Sequence, residues 1–74
     1  MTVVAVARVG AQVEAEATIG FIDQVKLPSW WDENVAPPRV GDRLHVVVLD
    51  ADRVPPRISA LQQDIRVARR LRDD

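Results

Sequence analysis

Apolar and polar residues alternate along the first third of the chain in a way that predicts three strands. Residues 2–9 form an apolar, β-branched run that Gly10 interrupts. Residues 12–18 alternate strictly between small apolar and polar side chains, which is typical of a half-buried antiparallel strand. Residues 19–25 read as a third strand, and Gly20 near its start marks a bend of the kind that small barrels need to close.

The middle of the chain is irregular before two further strands follow. Prolines forbid a continuous strand or helix over residues 27–41, although Ser29 can cap one helical turn over residues 30–34. Residues 43–49 give the clearest strand pattern of the chain. After a polar loop with two prolines, residues 57–60 form a short fifth strand.

The apolar spacing changes from two residues to a helical period near residue 61, which predicts a short amphipathic C-terminal helix. An aspartate lies early in this segment and arginines lie late, as the helix dipole favours. We therefore predict one domain, with a barrel over residues 1–62 and an arginine-rich helix or tail over residues 63–74. The helical stripe consists of Leu61, Ile65, Ala68 and Leu71.

The composition limits the function classes that fit this chain. Its 74 residues contain no cysteine and carry a net charge of −1, whereas dedicated non-specific nucleic-acid binders usually have a clear basic excess. The N-terminus lacks the basic region of a secretory signal, and no apolar run approaches the roughly 20 residues that span a bilayer. We expect a cytoplasmic protein that does not bind membranes.

Candidate chemistry is sparse. The single His45 lies on a predicted strand, on the face opposite the apolar one, and is expected to be a surface residue. The sequence contains no nucleophile–base pair, carboxylate dyad, glycine-rich phosphate loop or metal-ligand spacing. We therefore expect no enzyme, no catalytic residue, no metal, no cofactor and no small-molecule substrate.

The order of four short motifs resembles the S1 RNA-binding domain family across roughly residues 3 to 61. The valine–glycine–aspartate block followed by arginine–isoleucine–serine is the most specific part of this resemblance. It implies an all-β fold, a five-stranded antiparallel OB-fold barrel with a short C-terminal helix. The motifs are Gly10-Ala11-Gln12-Val13, Gly20-Phe21-Ile22-Asp23, the segment 40–52, and Arg57-Ile58-Ser59.

The resemblance implies a single-stranded RNA site on the face of the second and third strands. The family stacks bases on aromatic side chains there, but this chain has Val9 and Gln12 at two of the usual aromatic positions. Asp23 replaces a histidine that the family often has, and its carboxylate repels phosphate. Stacking contributes about 1–3 kcal/mol per base, so these departures predict weak, salt-sensitive RNA binding by an accessory factor.

Several positions keep the RNA-binding pattern of the family. Phe21 is the remaining stacking candidate, and Asp52 and Arg57 match positions that the family uses near RNA. Lys26 and Arg43 are further candidates to hold phosphates. The C-terminal helix can extend this track through Arg66, Arg69 and Arg70, with Arg72 beside them.

Each of these residues also has a structural interpretation. Phe21 can belong to the core, although Asp23 on the same strand face indicates that this face is wet. Arg57 can be a solvated residue paired with Asp52. The helical arginines can form only the solvated side of an amphipathic helix.

Two adjacent tryptophans suggest an alternative function. Trp30 and Trp31 lie beside acidic residues in the irregular segment. One of them can plug a barrel end, a tryptophan can stack on a base although the neighbouring acids oppose this, or an exposed tryptophan can anchor a protein partner. The alternative hypothesis is therefore a degenerate S1-like domain that acts as a protein–protein interaction module through this loop. Homodimerisation is one variant of it, and the oligomeric state is left open.

Overall fold

The N-terminal strands form an antiparallel meander. The structure, a computed structural model, describes the backbone of residues 1–73 and the side chains up to residue 71. The strands are β1 (Thr2–Ala7), β2 (Gly10–Ala15), β3 (Thr18–Asp23), β4 (Val47–Asp50) and β5 (Arg57–Ser59). A 3-10 turn (Gln24–Lys26) and helix α1 (Pro28–Trp31) follow β3, and helix α2 (Gln62–Asp73) follows β5.

The five strands form one mixed sheet in the order β1-β2-β3-β5-β4. Three of the four strand pairs are antiparallel, but β3 and β5 run parallel, with Phe21 opposite Arg57 and Ile22 opposite Ile58. The prediction of an all-antiparallel sheet is therefore wrong at this pair. The reason is topological. One edge of β5 pairs with β4 in the antiparallel hairpin, and its other edge pairs with β3, which runs in the same direction as β5.

The sheet is not closed into a barrel, and β1 and β4 are its edge strands. The predicted strand over residues 43–49 is shorter than expected and begins at Val47. The segment before it still contacts the start of β1. The backbone N–H of Val3 donates to Asp42 at 2.8 Å, its carbonyl accepts from Gly41 at 2.8 Å, and Met1 exchanges two hydrogen bonds with Leu44.

The buried core lies on the inner face of the sheet. The alternation predicted for residues 12–18 holds only as far as β2 extends: Val13 is buried while Gln12 and Glu14 are exposed, but the strand ends at Ala15 and Ala17 is exposed. The turn after β2 contains Glu16 at a positive φ of 53°. The apolar core cluster comprises Val3, Ala11, Val13, Ile22, Leu27, Ile58 and Ala60, with Leu44 and Val46 packed against it.

Helix α1 begins earlier than the sequence pattern predicts. Leu27 is its N-cap and Pro28 its first residue, and no side chain caps it, so the predicted Ser29 cap is wrong. Proline suits this position because its fixed φ matches the helix and its missing N–H would have had no helical partner. Within residues 1–73, neither helix combines the length and apolar character that crossing a bilayer requires.

Helix α2 is held to the sheet by its first turns. Leu61 and Ile65 are buried, whereas Val67 is 57% and Leu71 is 72% exposed. The predicted C-terminal helix is thus confirmed, but only the first part of its apolar stripe packs against the sheet. Val67 and Leu71 therefore leave apolar surface of α2 exposed to solvent.

A small polar network fixes the start of α2. Among the described side chains, Ser59 is the fully buried polar residue, and its hydroxyl donates to Oδ2 of Asp64 at 2.6 Å. The same hydroxyl oxygen accepts from the N–H of Leu61 at 3.1 Å. Lys26 completes the network, because its Nζ lies 3.4 Å from Oδ2 of Asp64. The network joins the 3-10 turn, β5 and α2.

An Asp64→Ala variant is expected to lose about 1–3 kcal/mol of unfolding free energy, because the buried Ser59 hydroxyl loses its acceptor. Urea denaturation followed by circular dichroism measures this loss. Asp52→Ala is the matched control, since Asp52 is exposed and surface changes usually cost less than about 0.5 kcal/mol. Equal stability of the two variants would contradict the proposed role of the network.

Candidate nucleic-acid interface

A row of side chains crosses four strands on the outer face of the sheet. Gln12 of β2 lies opposite Phe21 of β3, Phe21 lies opposite Arg57 of β5, and Arg57 lies opposite Asp50 of β4. The neighbours of Phe21 along β3 are buried, so Phe21 faces outward. Phe21 and Asp23 lie on the same face of β3, and both are half-buried.

The centre of this row is a contact between an aromatic ring and two charges. The guanidinium carbon of Arg57 lies 5.5 Å from the centroid of the Phe21 ring, within the range of a cation–π contact. Nη1 of Arg57 lies 3.8 Å from Oδ2 of Asp23. Arg57 therefore pairs with Asp23. The sequence suggests Asp52 as its partner, and this pairing is not the one observed. Because both side chains are about two-fifths exposed, this ion pair contributes little to stability.

A hollow of about 360 Å³ opens beside the ring of Phe21. The loop between β4 and β5 forms its other wall, where Arg53 lies next to Val54 and Pro55, joined by a cis peptide bond. Arg53 also pairs with Asp50, with Nε 3.5 Å from Oδ2. The hollow is thus lined by one aromatic side chain and by two arginines, Arg53 and Arg57.

The ring of Phe21 also leans over the start of β2. A Cβ atom added at Gly10 would lie 2.9 Å from Cζ of Phe21 and would overlap the carbonyl oxygen of Ile22. Gly10 is buried and has a φ of +151°. Only glycine leaves room at this position, and Phe21 covers the space that it leaves.

The other residues predicted to meet RNA are dispersed over the molecule. Lys26 lies in the 3-10 turn and pairs with Asp64, and Arg43 lies before β4 in a bridge with Thr2. Asp52 is exposed in the β4–β5 loop. None of these three lines the hollow beside Phe21.

The helical arginines form a separate surface. Arg66, Arg69 and Arg70 are exposed on α2 and do not line the hollow beside Phe21. The side chain of Arg72 and the whole of Asp74 lie outside the described residues. The sequence predicts that these arginines extend the RNA-binding track that begins at Phe21. The residues that line the hollow do not include them.

Both tryptophans are exposed, so neither is buried as a plug. Trp30 is 52% exposed and lines a hollow of about 330 Å³ together with Val6, Val35 and two prolines. Trp31 is 69% exposed, and its Nε1 donates to the carbonyl of Val25 at 2.8 Å. We call this region, with the exposed Asp32 and Glu33 that follow, the tryptophan surface.

One residue of this hollow is not indicated by the sequence pattern. Arg53 lines the hollow beside Phe21, yet in the sequence it is one charge in a polar loop. Two features of the sequence point to Arg53. It comes just before Val54 and two prolines, which stiffen the loop, and it lies four residues before Arg57. That spacing alone does not show that Arg53 and Arg57 line the same hollow.

No protein-family model, curated protein or solved structure matches this chain. The two surfaces above are therefore the basis for assigning a function.

Proposed function

We propose that this chain is an S1-like OB-fold protein that binds single-stranded RNA weakly, as an accessory factor in the cytoplasm. The observation that carries the proposal is the outward ring of Phe21 with Arg57 5.5 Å from its centroid, beside a hollow that Arg53 also lines. Aromatic faces stack on bases of any sequence, and guanidinium groups bind phosphates.

The position of this group in the sheet supports the proposal. OB folds are partly open five-stranded barrels that bind oligonucleotides on the face of strands 2 and 3 and with the loop between strands 4 and 5. Here the hollow lies between Phe21 of β3 and the β4–β5 loop that carries Arg53. The hydrogen bonds of Val3 with Gly41 and Asp42 join the segment before β4 to β1, although the sheet itself stays open.

The charges around the hollow explain why we propose weak binding. Asp23 and Asp50 each lie within 4 Å of one of the two arginines and compete with phosphate for them. The chain as a whole carries a net charge of −1. Stacking on Phe21 is therefore expected to supply most of the affinity, with two phosphate contacts at most.

Salt dependence distinguishes this small site from a longer track. For single strands, the logarithm of affinity falls with the logarithm of salt with a slope of about −0.7 per phosphate contact. Contacts by Arg53 and Arg57 alone predict a slope of about −1.4. Participation of the three exposed arginines of α2 would raise the number of contacts to five and the slope to about −3.5.

Titration of a labelled oligouridine at low salt tests the proposal, with chemical-shift mapping to locate the site. We expect a dissociation constant on the order of tens of micromolar, and shifts centred on Phe21, Arg57 and the loop at Arg53. Absence of binding in this range, or shifts confined to other surfaces, would overturn the proposal.

The tryptophan surface supports a second function, contact with a protein, and we propose a second copy of this chain as that protein. The surface is aromatic and bears Asp32 and Glu33, whereas α2 carries the exposed apolar residues Val67 and Leu71 beside three exposed arginines. These two surfaces are complementary in charge and both are apolar. A two-fold dimer in which each α2 packs on the partner's tryptophan surface covers both.

A charge exchange tests this second function. Light scattering is expected to show a dimer for the wild type and monomers for an Arg69→Glu, Arg70→Glu variant and for an Asp32→Arg, Glu33→Arg variant. Mixing the two variants restores both charge pairs and is expected to restore a dimer. A wild type that stays monomeric at low salt, or a Trp30→Ala, Trp31→Ala variant that still forms dimers, would contradict this function.

A further inference from the structure

We propose that Asp23 makes the site beside Phe21 selective for guanine. This inference rests on the proposed RNA binding and names the base that the site prefers. It assigns a role to Asp23, whose carboxylate repels phosphate and is therefore unexpected at an RNA site.

The carboxylate of Asp23 is held in place and still open to solvent. Its Oδ1 accepts from the backbone N–H of Val25 at 3.3 Å, which caps the 3-10 turn. Its Oδ2 lies 3.8 Å from Arg57, beyond hydrogen-bond distance, and the side chain is 45% exposed. Both oxygens therefore retain lone pairs for a ligand.

The distance along β3 suits a base that stacks on Phe21. Asp23 lies two residues beyond Phe21 on the same face of the strand, about 7 Å along the chain. A base lying over the ring of Phe21 or over the guanidinium of Arg57 can direct its edge toward this carboxylate. The hollow of about 360 Å³ lies on the side of Phe21 where Arg53 and Arg57 can hold the adjoining phosphates.

Guanine is the base whose pairing edge matches a carboxylate. An ionised carboxylate only accepts hydrogen bonds, and its two oxygens suit two neighbouring donors. Guanine presents N1–H and the N2 amino group side by side. Adenine, cytosine and uracil each present one donor next to an acceptor on this edge, and that acceptor is repelled by the carboxylate.

The repulsion between Asp23 and phosphate supports selectivity. It weakens binding of every RNA sequence by a similar factor, whereas the paired hydrogen bonds are available to guanine alone. Discrimination depends on this difference and not on total affinity. A site with few cations and one well-placed carboxylate is therefore weak and selective.

The test uses a labelled oligouridine with a single central guanosine, inosine, adenosine or cytidine. We expect the guanosine strand to bind about tenfold more tightly than the adenosine and cytidine strands. Inosine lacks the 2-amino group but keeps N1–H, so its strand should bind with intermediate affinity. Equal affinity of all four strands for the wild-type protein would overturn the inference.

An Asp23→Asn variant separates base selection from charge. Asparagine keeps an oxygen for the N–H of Val25, so the 3-10 turn remains capped. We expect this variant to bind the uridine parent more tightly and to lose the preference for guanosine. Glu14→Gln removes one negative charge from the exposed face of β2, and it should keep the preference.

The two proposals fail in different ways. If no strand binds at low salt, RNA binding itself is wrong. If the strands bind at Phe21 with no dependence on the central base, or if Asp23→Asn keeps the guanosine preference, RNA binding stands and base selection by Asp23 is wrong.

Discussion

A Gly10→Ala variant is expected to lose a large part of its folding stability. Gly10 is buried at the start of β2 with a φ of +151°, where a side chain is strained. The added Cβ overlaps the backbone carbonyl of Ile22 and lies 2.9 Å from Cζ of Phe21. The carbonyl belongs to the paired strand, so it cannot yield without opening the β2–β3 ladder.

The expected loss is large compared with the total unfolding free energy of so short a chain. A chain of this length has about 4–11 kcal/mol of unfolding free energy. The unfavourable φ costs about 1–3 kcal/mol, and the displaced strand adds to this. Urea denaturation followed by far-ultraviolet circular dichroism is expected to show a loss of at least about 3 kcal/mol.

Gly41→Ala is the matched control for backbone strain. Gly41 also has a positive φ, +97°, but an added Cβ there meets no atom within 4 Å. Its loss of stability measures the cost of the φ angle alone. If Gly10→Ala is as stable as Gly41→Ala, the close approach of β2 and β3 at Gly10 is not what requires glycine.

The second large effect is on RNA affinity. A Phe21→Leu variant is expected to bind oligouridine at least about tenfold more weakly, because a stacked base contributes about 1–3 kcal/mol. Leucine is chosen because it keeps an apolar cover over Gly10 while removing the aromatic face. Fluorescence anisotropy at low salt measures the affinity, and circular dichroism checks that the fold is kept.

Trp31→Leu is the control for loss of an exposed aromatic side chain. Trp31 lies on the tryptophan surface and does not line the hollow beside Phe21. We expect this variant to bind RNA like the wild type and to reduce dimer formation. If Trp31→Leu weakens RNA binding and Phe21→Leu does not, the RNA site lies on the tryptophan surface instead.

The parts of the fold that depend on local periodicity could be predicted from the sequence. The alternation through Gln12 and Val13 places buried and exposed faces correctly, and the change of period predicts α2. Strand direction has no such local signal, so the parallel pairing of β3 with β5 was missed. The start of β4 at Val47 was also missed, because an apolar pattern does not show where hydrogen bonding to a neighbour begins.

The candidate site was partly predictable because the family resemblance selected Phe21 and Arg57 from distant parts of the sequence, and the parallel pair brings them together. The partner of Arg57 was not predictable. Asp52 is nearer in the sequence, but the observed partner is Asp23 across the β3–β5 pair. Arg53 was missed because its position depends on the path of the loop.

The parallel pair at the centre of the sheet also affects how the chain folds during synthesis. β3 ends at Asp23, but its central partner β5 begins at Arg57, and α2 and its polar network come later still. While the ribosome makes the intervening residues, the nascent meander exposes the side of β3 that β5 will later occupy. The domain can therefore complete its sheet only after nearly all of its residues have left the exit tunnel.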